Sequence, residues 1–146
     1  MLVVNPYLNF NGNTEEAFNF YKSVFGGEFA VVMRFKDGPE ASKLAEKHLD
    51  KLMHIALPLG SGNMLMGTDA LGVEEGGMGL VTMGTNFSLT ISCESKEEAD
   101  KIHAGLSDGK LSGGPMREEF WGDYFGWIKD KFGISWMISF NPNRPQ

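Results

Sequence analysis

The first residues of the chain alternate between apolar and polar positions, and then the spacing changes. In segment 3–10, Leu8 and Phe10 share one side and Asn5, Tyr7 and Asn9 the other, which predicts a half-buried strand. Asn13 with Glu16 resembles a capping box at the start of a helix. Apolar residues then recur at helical spacing until Gly26 and Gly27, namely Ala17, Phe20, Tyr21 and Val24. A strand followed by a helix is therefore expected.

The rest of the first half predicts three more strands. Segment 27–35 is strand-like, and a polar connection with a short helix starting near Pro39 follows it. Segments 54–59 and 63–69 flank Gly60-Ser61-Gly62 and predict a hairpin. The predicted order is βαβββ. Residues 71–84 are glycine-rich and lack periodicity, which is typical of a flexible linker or of a loop over a site.

The second half repeats this order. Alternation over 86–91 predicts a strand, Ser95 and Glu98 form a capping-box pattern, and a helical apolar stripe follows, made of Ala99, Ile102, His103 and Leu106. A strand around 114–121 and a hairpin over 125–140 complete the copy. The fold class predicted from these patterns is α+β with two βαβββ modules.

Sequence offsets support a duplication. Asn5, Leu8 and Phe10 lie 81 positions before Asn86, Leu89 and Ile91, and Gly62, Leu65 and Met66 lie 71 before Gly133, Trp136 and Met137. A shorter insert in the second copy explains both offsets. We therefore expect one domain over 1–146, with module one at about 1–70, module two at about 85–141 and a linker at 71–84.

Composition narrows the classes of function. The chain has 146 residues, a net charge of −6 and scattered basic residues, whereas a nucleic-acid-binding protein needs a concentrated basic face. No apolar run is long enough to span a membrane, and no secretory signal is visible after Met1. Cys93 is the single cysteine, so no internal disulfide forms. A cytoplasmic protein that binds neither nucleic acid nor membrane is expected.

Three segments carry a family resemblance: PYLNFNGNTEEAFNFYKSVFGGE, HIALPLGSGNMLMGTDA and FWGDYFGWIKDKFGISWMISF. They resemble the PhnB-like branch of the vicinal oxygen chelate superfamily, which includes glyoxalases, bleomycin-resistance proteins and extradiol dioxygenases. The resemblance implies that two βαβββ modules curl into a cup around a ligand, with assembly as a homodimer. This branch is sometimes labelled 3-demethylubiquinone methyltransferase-like. The sequence has no βαβ dinucleotide-type unit to bind S-adenosylmethionine, so methyl transfer is not expected.

The resemblance also implies where a metal would be held. Metal-dependent members take ligands from the first and fourth strands of each module, and strand alignment carries these positions onto Asn5, Met66, Asn86 and Met137. Divalent ions such as zinc, nickel or manganese prefer imidazole and carboxylate ligands, and none of the four residues supplies either. We therefore expect no metal and no cofactor.

A turn at 130–133 sets the predicted strand register. It brings Trp127 opposite Met137, and the same register brings Ala56 opposite Met66 and His54 opposite Thr68. The resulting interior face also carries Asn9, Met64, Thr90 and Phe125. Burying its polar groups without hydrogen-bond partners would cost free energy, so the face is expected to line a cavity that holds water or a ligand. The residues proposed to bind a ligand are Asn5, Tyr7, His54, Met66, Asn86, Ser88, Trp121, Tyr124, Trp127 and Met137.

Each chemically active residue also has a structural interpretation. His54 is the candidate acid or base, and a hydrogen-bonded strand histidine is the alternative. His48, His103 and Cys93 are interpreted as structural. Trp121 and Tyr124, with their aromatic neighbours, either pack in a core or dimer interface or stack against a planar ligand.

The leading hypothesis for function is metal-free binding of a small organic molecule. One alternative is a lyase or isomerase that uses His54 as acid or base, with Tyr7 or a carboxylate, or that holds a displaced metal site. Another alternative is a protein whose only role is to bind other proteins. In that case we expect a cup without a ligand or water and a large apolar patch on the outer surface. Fold alone does not choose among them, because one fold hosts many chemistries.

Overall fold

The computed structural model describes residues 2–144 and divides into two compact units. The first extends to Thr82 and the second begins at Met83, so the boundary falls inside the predicted linker. Residues 71–82 group with the first unit. The single domain inferred from the sequence stays a prediction. Within residues 2–144, no helix is both long and apolar enough to cross a membrane.

The first unit is a four-stranded mixed sheet with one long helix. Its elements are β1 (Tyr7–Phe10), α1 (Thr14–Phe25), β2 (Val31–Arg34), β3 (Leu52–Pro58) and β4 (Met64–Asp69). The sheet order is β1-β4-β3-β2, with β1 parallel to β4 and the other pairs antiparallel. The predicted βαβββ order is confirmed.

The connection between β2 and β3 departs from the prediction. The short helix expected near Pro39 is present only as a single 3₁₀ turn at Ala41–Lys43, and two further 3₁₀ turns flank it at Phe35–Asp37 and Glu46–His48. Glycine and proline at 38–39 interrupt the backbone there, and the polar run has no apolar stripe that packing could stabilise.

The second unit has the same arrangement with a broken edge. Its elements are β5 (Leu89–Ser92), α2 (Lys96–Leu106), β6 (Ser112–Gly113), β7 (Arg117–Glu118), β8 (Tyr124–Lys129) and β9 (Ser135–Phe140). The order is β5-β9-β8-β6, with β7 also paired to β8. Of the strand predicted over 114–121, only β7 forms, and β6 ends before it at Gly113. Pro115 lies between the two short strands and cannot donate a backbone hydrogen bond.

Strand register confirms one of the two sequence offsets and corrects the other. Ala56 pairs with Met66 and Trp127 with Met137, as predicted, which preserves the offset of 71. Across the parallel pairs, however, Met66 faces Tyr7 and Met137 faces Thr90. Tyr7 and Thr90 are therefore the equivalent positions of the two first strands, which gives an offset of 83, and the offset of 81 is wrong. A shift of two residues keeps every side chain on its predicted face, so the sequence pattern could not detect it.

The two helices begin differently. At α2, the Ser95 side chain accepts a hydrogen bond from the Glu98 backbone N–H at 3.0 Å, as the predicted capping box requires. At α1, the Asn13 side chain makes no capping hydrogen bond, contrary to the prediction. The N–H of Thr14 instead donates to Oδ1 of Asp69 on β4, at 3.0 Å. A tertiary contact replaces the local cap.

The core of the first unit lies between α1 and one face of the sheet. Ala17, Phe18 and Tyr21 are fully buried, whereas Phe20 of the predicted stripe is only half-buried. A Cβ atom added to Gly67 would lie 2.6 Å from the Phe18 ring. The absent side chain at Gly67 therefore lets α1 approach β4 closely, and the opposite face of the sheet is left for other contacts.

Candidate functional site

The face of the first sheet opposite α1 carries two rows of side chains. Cross-strand pairing places Val31, Ala56, Met66 and Tyr7 in one row. The next row contains Met33 with His54, and Asn9 with Thr68. Paired residues project to the same side of a sheet, so these groups share one surface. This is the face predicted from the sequence to be the interior.

Tyr7 and His54 are in direct contact on this face. The phenol oxygen lies 2.9 Å from Nδ1 of His54, and the rings stack with centroids 5.6 Å apart. When Nδ1 carries no proton, the phenol donates and Nε2 carries the ring proton. Burial raises the pKa of the Tyr7 phenol, and the Thr68 side chain opposes that shift. Tyr7 therefore stays protonated at physiological pH, and its hydroxyl can donate to Nδ1 of His54.

An irregularity in the strand pairing positions His54 and its neighbour. The register between β2 and β3 shifts after Met33, and Arg34 pairs with Leu52. The Thr68 hydroxyl donates to the backbone oxygen of Met53 at 2.8 Å, on the same stretch of β3. Such irregularities change the direction in which side chains project from a strand. Here both Met53 and His54 are half-buried, so part of each side chain is accessible at the surface.

A cavity of about 980 Å³ opens beside these residues, wholly within the first unit. Its floor is the end of the sheet, at Asn9, Met53 and Thr68. One wall is formed by the 3₁₀ segment 35–45 and the other by the glycine-rich segment 70–81, and most of the lining is apolar. The size is at the upper end of the range for pockets that bind small molecules. Most of the glycine-rich segment therefore borders a cavity, and its interpretation as a loop over a binding site stays a prediction.

The loop segment 71–81 is fixed by hydrogen bonds. The Asn11 side chain donates to the Val81 oxygen at 3.0 Å and accepts from the Val81 N–H at 2.7 Å. Gly77 N–H donates to Gly72 oxygen, and a Cβ at Gly77 would lie 2.2 Å from the backbone oxygen of Leu71. The tight turn therefore requires glycine at 77. The cavity wall is held in place before any ligand arrives.

Charged groups gather at the cavity. Asp69 is 3% exposed, and its carboxylate accepts hydrogen bonds from the backbone of Thr14 and Leu52, the latter at 2.8 Å. His48 is buried on the third 3₁₀ turn and its Nε2 pairs with the carboxylate of Glu75. This contact links the third 3₁₀ turn to the glycine-rich wall of the cavity.

None of the ten residues proposed from sequence lines this cavity, although Asn9 and Thr68 from the predicted interior face do. Asn5 precedes β1, and its side-chain oxygen accepts from the Met64 N–H at 3.0 Å. Met66 is half-buried opposite Tyr7. Ligand contact by these residues stays a prediction. The unusual glycine content of residues 71–84 was the feature of the sequence that could have pointed to this wall of the cavity.

The proposed residues of the second unit fall on two faces of its sheet. Trp127 and Met137 pair across β8 and β9, and Thr90 lies beside Met137 with its hydroxyl 3.9 Å from the sulfur. Tyr124 lies on the other face, where its hydroxyl donates to Asp100 of α2 at 2.5 Å. Asn86 and Ser88 precede β5 and are exposed. The structure thus brings together Trp127 and Met137 but separates them from Tyr124.

Trp121 is held by a buried carboxylate. Its indole N–H donates to Asp123 at 2.9 Å, and Asn141 and Arg144 donate to the same carboxylate at 2.9 and 2.7 Å. Hydrogen bonds from Asn141, Trp121 and Arg144 lower the pKa of Asp123 against the opposing effect of burial. The polar edge of Trp121 is therefore engaged, and its ring packs against Phe120 and Phe125.

His103 and Cys93 lie in surroundings that suit a structural role. His103 Nε2 lies 2.8 Å from the backbone oxygen of Gly114. Burial raises the pKa of the Cys93 thiol to about 11, with Glu98 adding to the shift. A thiol that stays protonated at neutral pH is a poor nucleophile. These contacts match the structural interpretation of both residues.

The residues at the superfamily's metal positions do not fit a divalent ion. The amide oxygen of Asn5 is already an acceptor for the backbone of Met64, and the thioethers of Met66 and Met137 suit soft ions only. Among residues 2–144, no group of three or more histidine, cysteine or acidic side chains is arranged to hold a metal. The donor set therefore gives no basis for a metal-assisted step.

Comparison with known proteins gives one consistent result. The family model described as 3-demethylubiquinone-9 3-methyltransferase matches residues 3–139. The solved protein PA1353 from Pseudomonas aeruginosa is 33% identical, with a TM-score of 0.80 and coverage of 97% of this chain and 98% of that one. A PhnB protein from Bacillus cereus is 28% identical, with a TM-score of 0.68 and coverage of 95% and 99%.

A more distant structure shows the wider fold. The glyoxylase/bleomycin resistance protein/dioxygenase domain from Frankia sp. EAN1pec is 16% identical, with a TM-score of 0.63 and coverage of 99% of this chain and 95% of that one. At this identity the likeness concerns the fold alone. The predicted fold class and family resemblance are both confirmed.

Proposed function

The chain belongs to the PhnB-like family described as 3-demethylubiquinone-9 3-methyltransferase, with the glyoxalase/bleomycin-resistance fold, and on this basis we propose that it binds a small organic molecule in the cavity of its first unit. The observation that carries the proposal is the cavity of about 980 Å³ closed on one side by the glycine-rich loop. Fold membership alone would not support it, since related folds host unrelated chemistries.

The lining has the composition expected of a binding site. Leu44, Met53 and Leu71 supply apolar surface, while Asn9 and Thr68 supply polar groups on the floor. An apolar body gains free energy by leaving water, and a few polar groups then fix its orientation. Because Asn11 already holds the loop at Val81, little ordering entropy is lost on binding.

A ligand screen with a blocked cavity tests this proposal. Ala45 is an exposed wall residue, so Ala45→Trp should obstruct part of the cavity without disturbing the core. Ala104→Trp, on an exposed position of α2, is the matched control. Amphipathic and aromatic compounds should raise the Tm of the wild type and of A104W but not that of A45W, because ligands that bind only the folded state stabilise it.

Two results would contradict the proposal. One is a broad screen in which no compound raises the Tm of the wild type. The other is an equal shift in A45W, which would locate binding elsewhere in the chain.

A second function is favoured by the contact between Tyr7 and His54. Their 2.9 Å hydrogen bond gives His54 a partner that can fix its tautomer, which is the arrangement general acid–base catalysis uses. On this alternative the protein is a lyase or isomerase that moves a proton next to a carbonyl group. Hydrogen–deuterium exchange into dihydroxyacetone in D₂O would report such proton transfer. Exchange should disappear in His54→Gln and persist in His48→Gln, and exchange that survives His54→Gln would remove the proposed base.

The homodimer implied by the family resemblance forms part of the proposal. Light scattering coupled to size exclusion should give twice the mass of one chain, and a monomer mass across the working concentration range would exclude it.

A further inference from the structure

We infer that the ligand of the first-unit cavity is an amphipathic cation, an organic ammonium group on an apolar body. The inference rests on the proposed function, since it names the class of molecule that the cavity would take. It is carried by the unequal charge of the cavity lining, by the pairing of the charged groups with one another, and by the apolar surface between them.

The lining is acidic. Among the described residues that form it, four carry carboxylates and Lys43 alone is basic; the four are Glu40, Asp69, Glu74 and Glu75. Lys43 pairs with Glu40 at 3.0 Å, both side chains being largely exposed, so these two charges offset each other. The remaining three carboxylates determine the sign of the local potential.

Those three carboxylates differ in their partners. Asp69 accepts from two backbone N–H groups, which stabilise the carboxylate without adding a positive charge. Glu75 contacts the imidazole of His48. Glu74 is exposed on the adjacent loop position and forms no ion pair with a basic side chain among residues 2–144. Glu74 is thus the carboxylate available to a ligand.

Apolar surface lies beside this charge. Phe35, Leu44 and Met53 line the same cavity, and Met78 stands fully exposed at the tip of the loop. An aromatic ring and thioethers both tolerate a neighbouring ammonium group, and methionine adapts to ligands of different shape. A cation with an apolar body can contact both surfaces at once, whereas an anion would be repelled by the loop.

Three compounds with one carbon skeleton separate charge from shape. They are 4-phenylbutylammonium, 4-phenylbutanol and 4-phenylbutyrate, titrated into the full chain by calorimetry at neutral pH and low salt. The ammonium should bind about tenfold more tightly than the carboxylate, with the alcohol between them, because the acidic lining attracts a positive charge and repels a negative one. Added salt should reduce the difference, because it screens exposed charges.

Glu74→Gln supplies the local test, and Glu97→Gln on the exposed first turn of α2 is the control with the same change in net charge. E74Q should weaken ammonium binding by about two- to fivefold and leave the alcohol unchanged, while E97Q changes neither.

The outcomes distinguish the two levels of the proposal. Tightest binding of the alcohol or the carboxylate, or equal effects of E74Q and E97Q, would overturn the cation inference while leaving the cavity as a binding site. If none of the three compounds binds even at millimolar concentration, both the binding function and the inference fail.

Discussion

Tyr7 on β1 and His54 on β3 lie on the same face of the first sheet, and their side chains meet over β4, the strand between them. The phenol oxygen is 2.9 Å from Nδ1 of His54, while Met66 on β4 lies directly opposite Tyr7. The histidine thereby has one ring nitrogen occupied and the other available. This relationship makes the tautomer of His54 depend on a residue 47 positions away in the sequence.

Replacing Tyr7 by phenylalanine should change the protonation pattern of the His54 ring. Without the phenol, Nδ1 loses its hydrogen-bond partner, and the two tautomers should become more nearly equal in population. ¹⁵N NMR of the imidazole nitrogens would show this as a movement of the Nδ1 and Nε2 resonances toward each other. Tyr124→Phe removes a different hydroxyl and should leave both resonances in place. Unchanged resonances in Y7F would show that the contact does not persist in solution.

Asn11→Ala should loosen the loop that walls the cavity. The substitution removes both hydrogen bonds to Val81. The loss of each bond should destabilise the closed position of this exposed loop by about 1 kcal/mol. Hydrogen exchange at the Val81 amide should accelerate, and cavity ligands should bind more weakly. Asn11→Asp keeps an acceptor for the Val81 N–H and should have the smaller effect on exchange. Equal exchange in N11A and the wild type would contradict the assigned role of Asn11.

Gly67→Ala should destabilise the first unit through a steric conflict with α1. The new Cβ would lie 2.6 Å from the Phe18 ring and 3.1 Å from the backbone oxygen of Leu8, so the free energy of unfolding should fall by about 1–3 kcal/mol. Gly84→Ala, where the nearest atom is 3.6 Å away, is the control. Urea denaturation measures both.

A second substitution tests whether Phe18 causes the loss. Phe18→Leu removes the ring atoms nearest to Gly67, so G67A and F18L together should cost less than the sum of the two single changes. Strict additivity would mean that the conflict lies with the backbone instead.

The Cys93 thiol should be unreactive in the native protein. With a pKa of about 11, its thiolate population at pH 8 is about a hundredfold lower than that of an ordinary cysteine, before burial is considered. Alkylation by iodoacetamide should therefore be slower by at least that factor than in denaturant. A native rate equal to the denatured rate would show that Cys93 is accessible.

The same thiol should make stability depend on alkaline pH. Its folded pKa is raised above the unfolded value, so its contribution is fully present below the unfolded pKa near 9 and is lost as pH rises through about 11. A shift of this size corresponds to roughly 2–3 kcal/mol, since each pKa unit is worth about 1.4 kcal/mol. Cys93→Ala should show a smaller decline between pH 8 and 11 in urea denaturation. Identical declines would assign the alkaline loss to other groups.

The sequence by itself determined the order of the helices and strands and the side of the sheet to which the strand residues point. Alternation in β1 and around the hairpins places Leu65 and Trp136 toward the helices and Met66 and Met137 away from them, as the structure confirms. The turn residues at 130–133 fixed the pairing of β8 and β9. These features follow from local rules, because side-chain alternation and turn geometry involve only nearby residues.

Only the tertiary structure decided the parallel register, the cap of α1 and the cavity. Tyr7 rather than Asn5 faces Met66, because two strands that are distant in sequence can slide by two residues without changing any face. The N–H of Thr14 finds Asp69 rather than Asn13, and the loop is fixed by Asn11 at a separation of 70 residues. Such partners depend on chain folding in three dimensions, which the spacing of neighbouring residues does not encode.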